Sequence, residues 1–167
     1  PQTSEGGVEF NGMLIDTTKC IGCRACEEGC NEANQLPKPK VSFSSESVFE
    51  QKRETTPGVF TVVNRFRNDK RPDEPIFVRR QCMHCNQPAC ASACLCRAME
   101  KTKEAAVIYH KNRCMGCRYC MIACPFDVPK YEYDSPTPYV KKCTFCAERQ
   151  KNGQQPACAE ACPTGAT

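Results

Sequence analysis

Cys114, Cys117, Cys120 and Cys124, with Pro125 directly behind, have the spacing C-x2-C-x2-C-x3-C-P. Thiolates at that spacing ligate iron–sulfur cubes. Three on a tight loop cap three corners of one cube, and the fourth, opening a short helix, turns away to serve a neighbouring cube. A stretch of this kind implies at least one partner, and the chain holds three more groups. Cys20, Cys23, Cys26 and Cys30 keep the same spacing, with Asn31 where the proline would follow. Cys82, Cys85, Cys90 and Cys94 have four residues in the middle gap, while Cys143, Cys146, Cys158 and Cys162, followed by Pro163, have eleven. Lengthening a gap costs only slightly more loop entropy, so both variants remain usable.

Sixteen of the seventeen cysteines thus fall into four groups of four, enough for four [4Fe–4S] clusters with no ligand missing. Groups two and three are neighbours in sequence. Cross-ligation therefore joins Cys114, Cys117 and Cys120 to Cys94, and Cys82, Cys85 and Cys90 to Cys124. Elimination leaves Cys20, Cys23 and Cys26 with Cys162, and Cys143, Cys146 and Cys158 with Cys30. Joining group one to two and group three to four is the competing assignment.

Cysteine at about a tenth of a small chain also suggests a disulfide scaffold. The odd count and the repeated Cys-x-x-Cys units, whose geometry rarely suits a disulfide, point to metal instead. Zinc ribbons use Cys-x-x-Cys pairs too, but set apart, and consecutive ligand runs closing on a fourth cysteine have no use there. A structural zinc protein is the alternative of another class.

The seventeenth cysteine, Cys96, is expected to pack as a small residue near a cluster, with a redox or substitute-ligand role as the sharper reading. His84, between Cys82 and Cys85, is expected to hydrogen-bond around the ligands, since every corner already has a thiol. His110 has no partner visible in the sequence. Lys19, Arg80, Arg113 and Lys142 each stand one or two places ahead of a group. Cations there favour a reduced, more negative cluster, so they are candidate tuners, against solvation of the loops as the plain alternative. No nucleophile–base pair, phosphate loop or acid pair is present; Gly6, Gly7 and Gly165 belong to no such motif. A non-catalytic protein is expected, with substrate chemistry elsewhere.

The formal charge of +4 is misleading, because it counts every thiol as neutral. Four thiolates around a 2+ cube leave roughly −2 per site, which takes the whole chain to about −4 and removes the case for nucleic acid. No run approaches the roughly 18 apolar residues of a membrane span. The chain opens on Pro1 and closes at Thr167, five residues after Cys162, so a longer protein is expected and no export signal is legible.

Short strands and short helices must position these groups. Strands are expected at Met13–Asp16, before the first group, and at Gly58–Phe66, with Val59, Thr61 and Val63 on one side and Phe60 and Val62 on the other. Ile76–Gln81 is expected to deliver the second group. A hairpin of Ala98–Lys101 and Ala106–His110 leads to the third, and Val128–Tyr133 leads on to the fourth. Ala25–Asn34 has helical composition, with Glu27 and Glu28 on its exposed side.

The resulting fold class is α+β, with two dicluster modules of short strands and helices around four clusters. The expected divisions are an N-terminal arm over 1–12, a first module from 13–35 with 126–167, an insert over 36–75, and a second module over 76–125. The insert reads either as a loop folded over the first site or as a docking surface for a partner.

From Met13 to Thr167 the chain resembles the four-cluster, ferredoxin-type iron–sulfur (beta) subunits of membrane-associated oxidoreductases. These include formate dehydrogenases, dimethyl sulfoxide and polysulfide reductases, periplasmic hydrogenases and quinone-linked cytochrome complexes. The passages that carry the likeness are 13–16, Arg79 to Cys85, Gly116 to Pro125, Val128 to Tyr131, and Pro156 to Cys158 through Cys162 to Gly165. The resemblance implies the nested ligand sharing above. It also implies an electron wire between a larger catalytic subunit (a molybdopterin enzyme or hydrogenase) or a multihaem cytochrome and an integral membrane quinone-interacting subunit. The complex would sit on the periplasmic, extracytoplasmic face. The chain departs from the family after Cys94, where Leu95, Cys96 and Arg97 replace the usual proline and glycine. A free-standing soluble polyferredoxin is the alternative.

Overall fold

A computed structural model describes residues 10–167, so most of the expected N-terminal arm lies outside the described residues. The elements are few and short, as expected of an α+β chain that spends so many residues on cysteine loops. Helices α1 (Ala25–Ala33), α2 (Ala89–Ser92), α3 (Tyr119–Ala123) and α5 (Ala157–Glu160) each carry cysteines, and α4 (Ala147–Lys151) fills the long gap of group four. Pro88 and Pro156 precede α2 and α5, where a missing N–H costs a helix nothing.

The helices pair off. α1 lies against α5, and α2 against α3. The first contact is close because Gly29 has no side chain: a Cβ there would stand 2.9 Å from Ala161 Cβ and 3.1 Å from the Ala157 carbonyl oxygen.

Three two-stranded antiparallel sheets complete the fold. β1 (Val62–Phe66) pairs with β2 (Ile76–Arg80), with Val62 opposite Arg80 and Phe66 opposite Ile76. This hairpin spans the position 75/76 where insert and second module were divided. β3 (Met99–Lys101) and β4 (Val107–Tyr109) form the expected hairpin between groups two and three. β5 (Lys130–Tyr131) and β6 (Val140–Lys141) lead into group four.

Met13–Asp16 is not a strand. The segment is tied down at single points, by Asp16 N–H donating to the Ala166 carbonyl at 2.8 Å and by Met13 Sδ accepting from Arg79 Nη2 at 2.8 Å, and it has no ladder partner among the described residues. The expected strand at 58–66 shortens to β1. Both sides of this stretch are covered: Phe60, Thr61, Val62, Val63 and Asn64 are all buried, with neither face open to water.

The fully enclosed apolar side chains are small. Val62, Val63, Val107, Val128 and Pro129 are the largest that are fully enclosed. The insert's grip on α1 is largely polar. Glu27, expected on the exposed side of that helix, is 4% exposed, whereas Glu28 does face solvent. The Glu27 carboxylate accepts from Arg24 Nη2 at 3.1 Å, Arg53 Nη2 at 2.5 Å and the Val63 backbone N–H at 2.7 Å. Arg24 in turn donates to the carbonyls of Ser42, Phe43 and Ser45. Helical periodicity places Glu27 correctly on α1, but it cannot tell that the insert folds back over that face.

Candidate metal centres

Each cysteine loop winds through left-handed backbone, which curls the chain so that amide N–H groups face the thiols. Gly22 and Arg24 (φ 73° and 63°) in the first loop match Gly116 and Arg118 (φ 76° and 63°) in the third. Gly116 N–H donates to Cys114 Sγ at 3.4 Å, and Phe145 N–H to Cys143 Sγ at 3.4 Å.

A second turn recurs behind three of the fourth cysteines. Arg97 N–H donates to the Cys94 carbonyl, Asp127 N–H to Cys124, and Gly165 N–H to Cys162, with Arg97, Asp127 and Gly165 all at positive φ. The departure Leu95-Cys96-Arg97 therefore keeps the backbone of Pro163-Thr164-Gly165, with an arginine held where glycine is easiest. In this superposition Cys96 answers to Thr164. Cys96 Sγ lies 3.8 Å from Cys94 Sγ, and Thr164 Oγ1 lies 3.7 Å from Cys162 Sγ.

The structure brings thiols of different groups together, and eight of them line two small cavities. Cys20, Cys23, Cys26 and Cys162 line one small cavity with Phe77, Arg79 and Ala166. Cys30, Cys143, Cys146 and Cys158 line another with Met13, Gln81 and Phe145. Burial pushes the Cys30 thiol up, and the adjacent Cys143, Cys158 and Cys146 push it further. Cys90 is likewise raised by burial, against the pull of Lys142, with Cys82, Cys124 and Cys85 as its thiol neighbours. Cys120 is pushed up to about 11, by burial and then by Cys90, Cys94, Cys114 and Cys117. In both cavities three thiols come from one group and the fourth from another. Cys90 and Cys120 meet again in an apolar cluster with Met99 and Val140.

These donor sets suit a polynuclear iron–sulfur group. Burial holds Cys26 and Cys143 up at about 12, so their thiolates need a strong positive partner to form. Among the described residues, no three His, Cys, Asp or Glu side chains gather tightly enough to hold a single ion.

The charged neighbours differ from the sequence expectation. Lys19 pairs with Asp16 at 3.8 Å and is largely exposed. Arg80 is engaged by Glu54 at 2.7 Å and by the Phe126 carbonyl, and Arg113 reaches Glu100. Lys142 does turn inward: it is 5% exposed, donates to the carbonyls of Val107 and Cys143, and sits 4.0 Å from Cys82 Sγ.

The cation missed from sequence is Arg79, which is buried beside Cys26 and Cys158 and whose charge opposes the rise of both thiols. Its Nε is buried without a hydrogen-bond partner among the described residues. Strand alternation carries the signal, since Phe77 and Arg79 share the inner face of β2, whereas Val78 and Arg80 share the other. Phe77 lies so close to the first loop that a Cβ on Gly22 would stand 2.4 Å from its ring.

His84 is buried, with its ring stacked on Phe145 at 4.9 Å. Burial, followed by the charges of Lys142 and Lys101, lowers it to about 3, so the ring is neutral. His110 is not alone: its Nε2 lies 2.9 Å from Glu100 Oε2.

The family called 4Fe-4S dicluster domain matches residues 74–167, a stretch holding groups two, three and four. The chain belongs to this family. A Nitratidesulfovibrio vulgaris protein is 48% identical over 162 residues, covering 96% of this chain and 44% of that protein. The hydrogenase-2 operon protein HybA of Escherichia coli O157:H7 is 36% identical, over 93% of this chain and 50% of its own length. The formate dehydrogenase-O iron–sulfur subunit of Escherichia coli K12 is 36% identical, over 92% and 50%. The chain thus spans about half the length of the curated relatives it matches. No helix among the described residues is long and apolar enough to cross a membrane.

Proposed function

We propose that this chain is a non-catalytic electron-transfer segment carrying four [4Fe–4S] clusters. The ligand sets are Cys20, Cys23, Cys26 and Cys162; Cys143, Cys146, Cys158 and Cys30; Cys82, Cys85, Cys90 and Cys124; and Cys114, Cys117, Cys120 and Cys94. When bound, such clusters supply reversible one-electron storage at potentials the protein tunes. The chain's own part is to hold thiolates at fixed corners, aim N–H groups at sulfur and limit water.

The observation that carries this reading is the meeting, in two cavities, of three thiols from one group with a fourth from another; the neighbours of Cys90 and Cys120 across groups two and three support the same sharing for the other two sets. The packing of α1 on α5 and of α2 on α3 supports two nested modules, 13–35 with 126–167 and 76–125, joined through the insert over 36–75.

Relatives named as a formate dehydrogenase iron–sulfur subunit and a hydrogenase operon protein support a place inside a respiratory oxidoreductase. The chain would conduct between a catalytic or cytochrome subunit and a membrane quinone-linked subunit, on the extracytoplasmic face. The test is metal analysis of the full-length protein with its complex. About sixteen iron and about sixteen acid-labile sulfide per chain, with visible absorbance that bleaches on reduction, are expected. Zinc, or iron for only two clusters, would sink the four-cluster reading. Isolation without stoichiometric larger subunits would favour a free polyferredoxin.

A further inference from the structure

His84 belongs to the second cysteine group by sequence, yet its ring reaches a thiol of the fourth. The Val107 backbone N–H donates to His84 Nδ1 at 2.9 Å, which fixes Nδ1 as the acceptor and leaves the ring proton on Nε2. Nε2 stands 3.4 Å from Cys143 Sγ. The contact is held from three sides. Phe145, two residues past Cys143, stacks on the ring; Lys101 Nζ donates to the His84 carbonyl at 2.8 Å; and the His84 backbone is itself left-handed, at φ 45°. Lys142 lies at the same boundary, with its ammonium between Cys82 Sγ and the Cys143 carbonyl.

Resting on the ligand sets proposed above, we propose that His84 is a positioning residue acting across the boundary between the Cys82 set and the Cys143 set. From the loop of Cys82 and Cys85, its Nε2–H donates to Cys143 Sγ and raises the midpoint potential of the cluster held by Cys143, Cys146, Cys158 and Cys30. An N–H aimed at a ligand sulfur stabilises the more negative, reduced state of that site. The effect therefore falls on the partner set rather than on the one whose cysteines flank the histidine. Lys142 differs in kind. Its charge lies between both sets and acts on both.

Two substitutions separate these roles. Asn tolerates left-handed backbone, and in His84→Asn the Oδ1 can take over from Nδ1 as acceptor for Val107, but no atom reaches Cys143. His84→Gln restores a donor at the ε position. The experiment is an EPR-monitored redox titration of the full-length protein with its clusters. The signal that Cys146→Ser removes or alters marks the Cys143 set.

His84→Asn is expected to keep the wild-type iron content and to lower the midpoint of that one signal. The reduced-to-oxidised ratio at the original midpoint should fall about tenfold, ~59 mV for one electron. His84→Gln should recover most of the shift, and Lys142→Met should move two signals. Unchanged midpoints in His84→Asn at full iron content would overturn the assignment, as would a shift confined to the set of Cys82, Cys85 and Cys90. Loss of iron in both histidine variants would make the contact structural and overturn it too. A wild-type protein without four clusters would instead count against the ligand sets themselves.

Discussion

Arg53 of the insert meets Glu27 of helix α1 with 2.5 Å between Nη2 and Oε1, and the carboxylate that receives it is almost wholly buried. The same carboxylate holds Arg24 and the Val63 N–H, so one side chain joins the first cysteine helix, the insert and strand β1. Glu27→Ala strands two guanidinium groups, one of them buried. Breaking such a pair from one side costs about 3–5 kcal/mol. The thermal midpoint should fall by roughly 6–20 °C, and limited proteolysis should cut the 36–60 segment first. An unchanged melt would mean the insert is held by other contacts.

Gly29→Ala tests the approach of α1 to α5. Alanine gains up to about 1 kcal/mol of helix propensity, but overlap with Ala161 and the Ala157 carbonyl costs about 1–3 kcal/mol, and the backbone carbonyl cannot swing aside. Clash wins. Iron should be lost first from the set that includes both Cys30 and Cys158, read by iron assay on gently heated protein. Equal loss from all four would refute the local origin.

Cys124→Ala tests the sharing of thiols between groups. Cys124 follows Cys114, Cys117 and Cys120 in sequence but neighbours Cys90 in space. About a quarter of the iron should go or become labile, and the EPR signal that disappears should be the one removed by Cys85→Ala. Matching the loss in Cys117→Ala instead would defeat the exchange.

Arg79→Gln removes a positive charge lying beside Cys26 and Cys158. Both flanking clusters should become harder to reduce, with the reduced-to-oxidised ratio falling roughly three- to tenfold at the original midpoints. Arg80→Gln, two contacts removed on the outer face, should leave potentials as they were. Redox titration of the two variants side by side reads the difference, and equal effects would show that face makes no difference.

Cys96→Thr should be silent, because it installs the residue found at the equivalent turn position, Thr164. Stability within about 0.5 kcal/mol of wild type and full iron content are expected. Cys96→Val, which has no polar hydrogen beside Cys94, should lower the midpoint of the cluster holding Cys94. If threonine proves as disruptive as valine, the correspondence between the two turns does not extend to their side chains.

Much of this was legible in sequence because metal ligation is a local-spacing problem. The four cysteine groups, the β3–β4 hairpin, helix α1 and the turn character of the loops all follow from residues a few positions apart. What escaped depended on distant segments. Glu27 looked solvent-facing because nothing near it says that the insert returns over α1. Met13–Asp16 had strand composition but no second chain to ladder with. Arg79 and Arg80 are adjacent and chemically alike, and only the pleat of β2 separates them. His84 was assigned a hydrogen-bonding role, but its partner Cys143 belongs to a different group. The role of Cys96 depends on a backbone turn that it shares with Thr164, a likeness that the differing residues Leu95 and Pro163 hide in the sequence.

The pairing of α1 with α5 brings together opposite ends of the chain, whereas α2 and α3 belong to adjoining groups. Closing contacts at short sequence separation is faster than closing distant ones. A nascent chain can therefore bring the inner helices together as soon as Cys124 has emerged. Cys20, Cys23 and Cys26 must wait until the segment carrying Cys162 has been synthesised. During that interval Cys20, Cys23 and Cys26 lack their fourth partner, and premature oxidation there would damage the site they share with Cys162 while leaving the sets built on Cys82 and Cys114 intact.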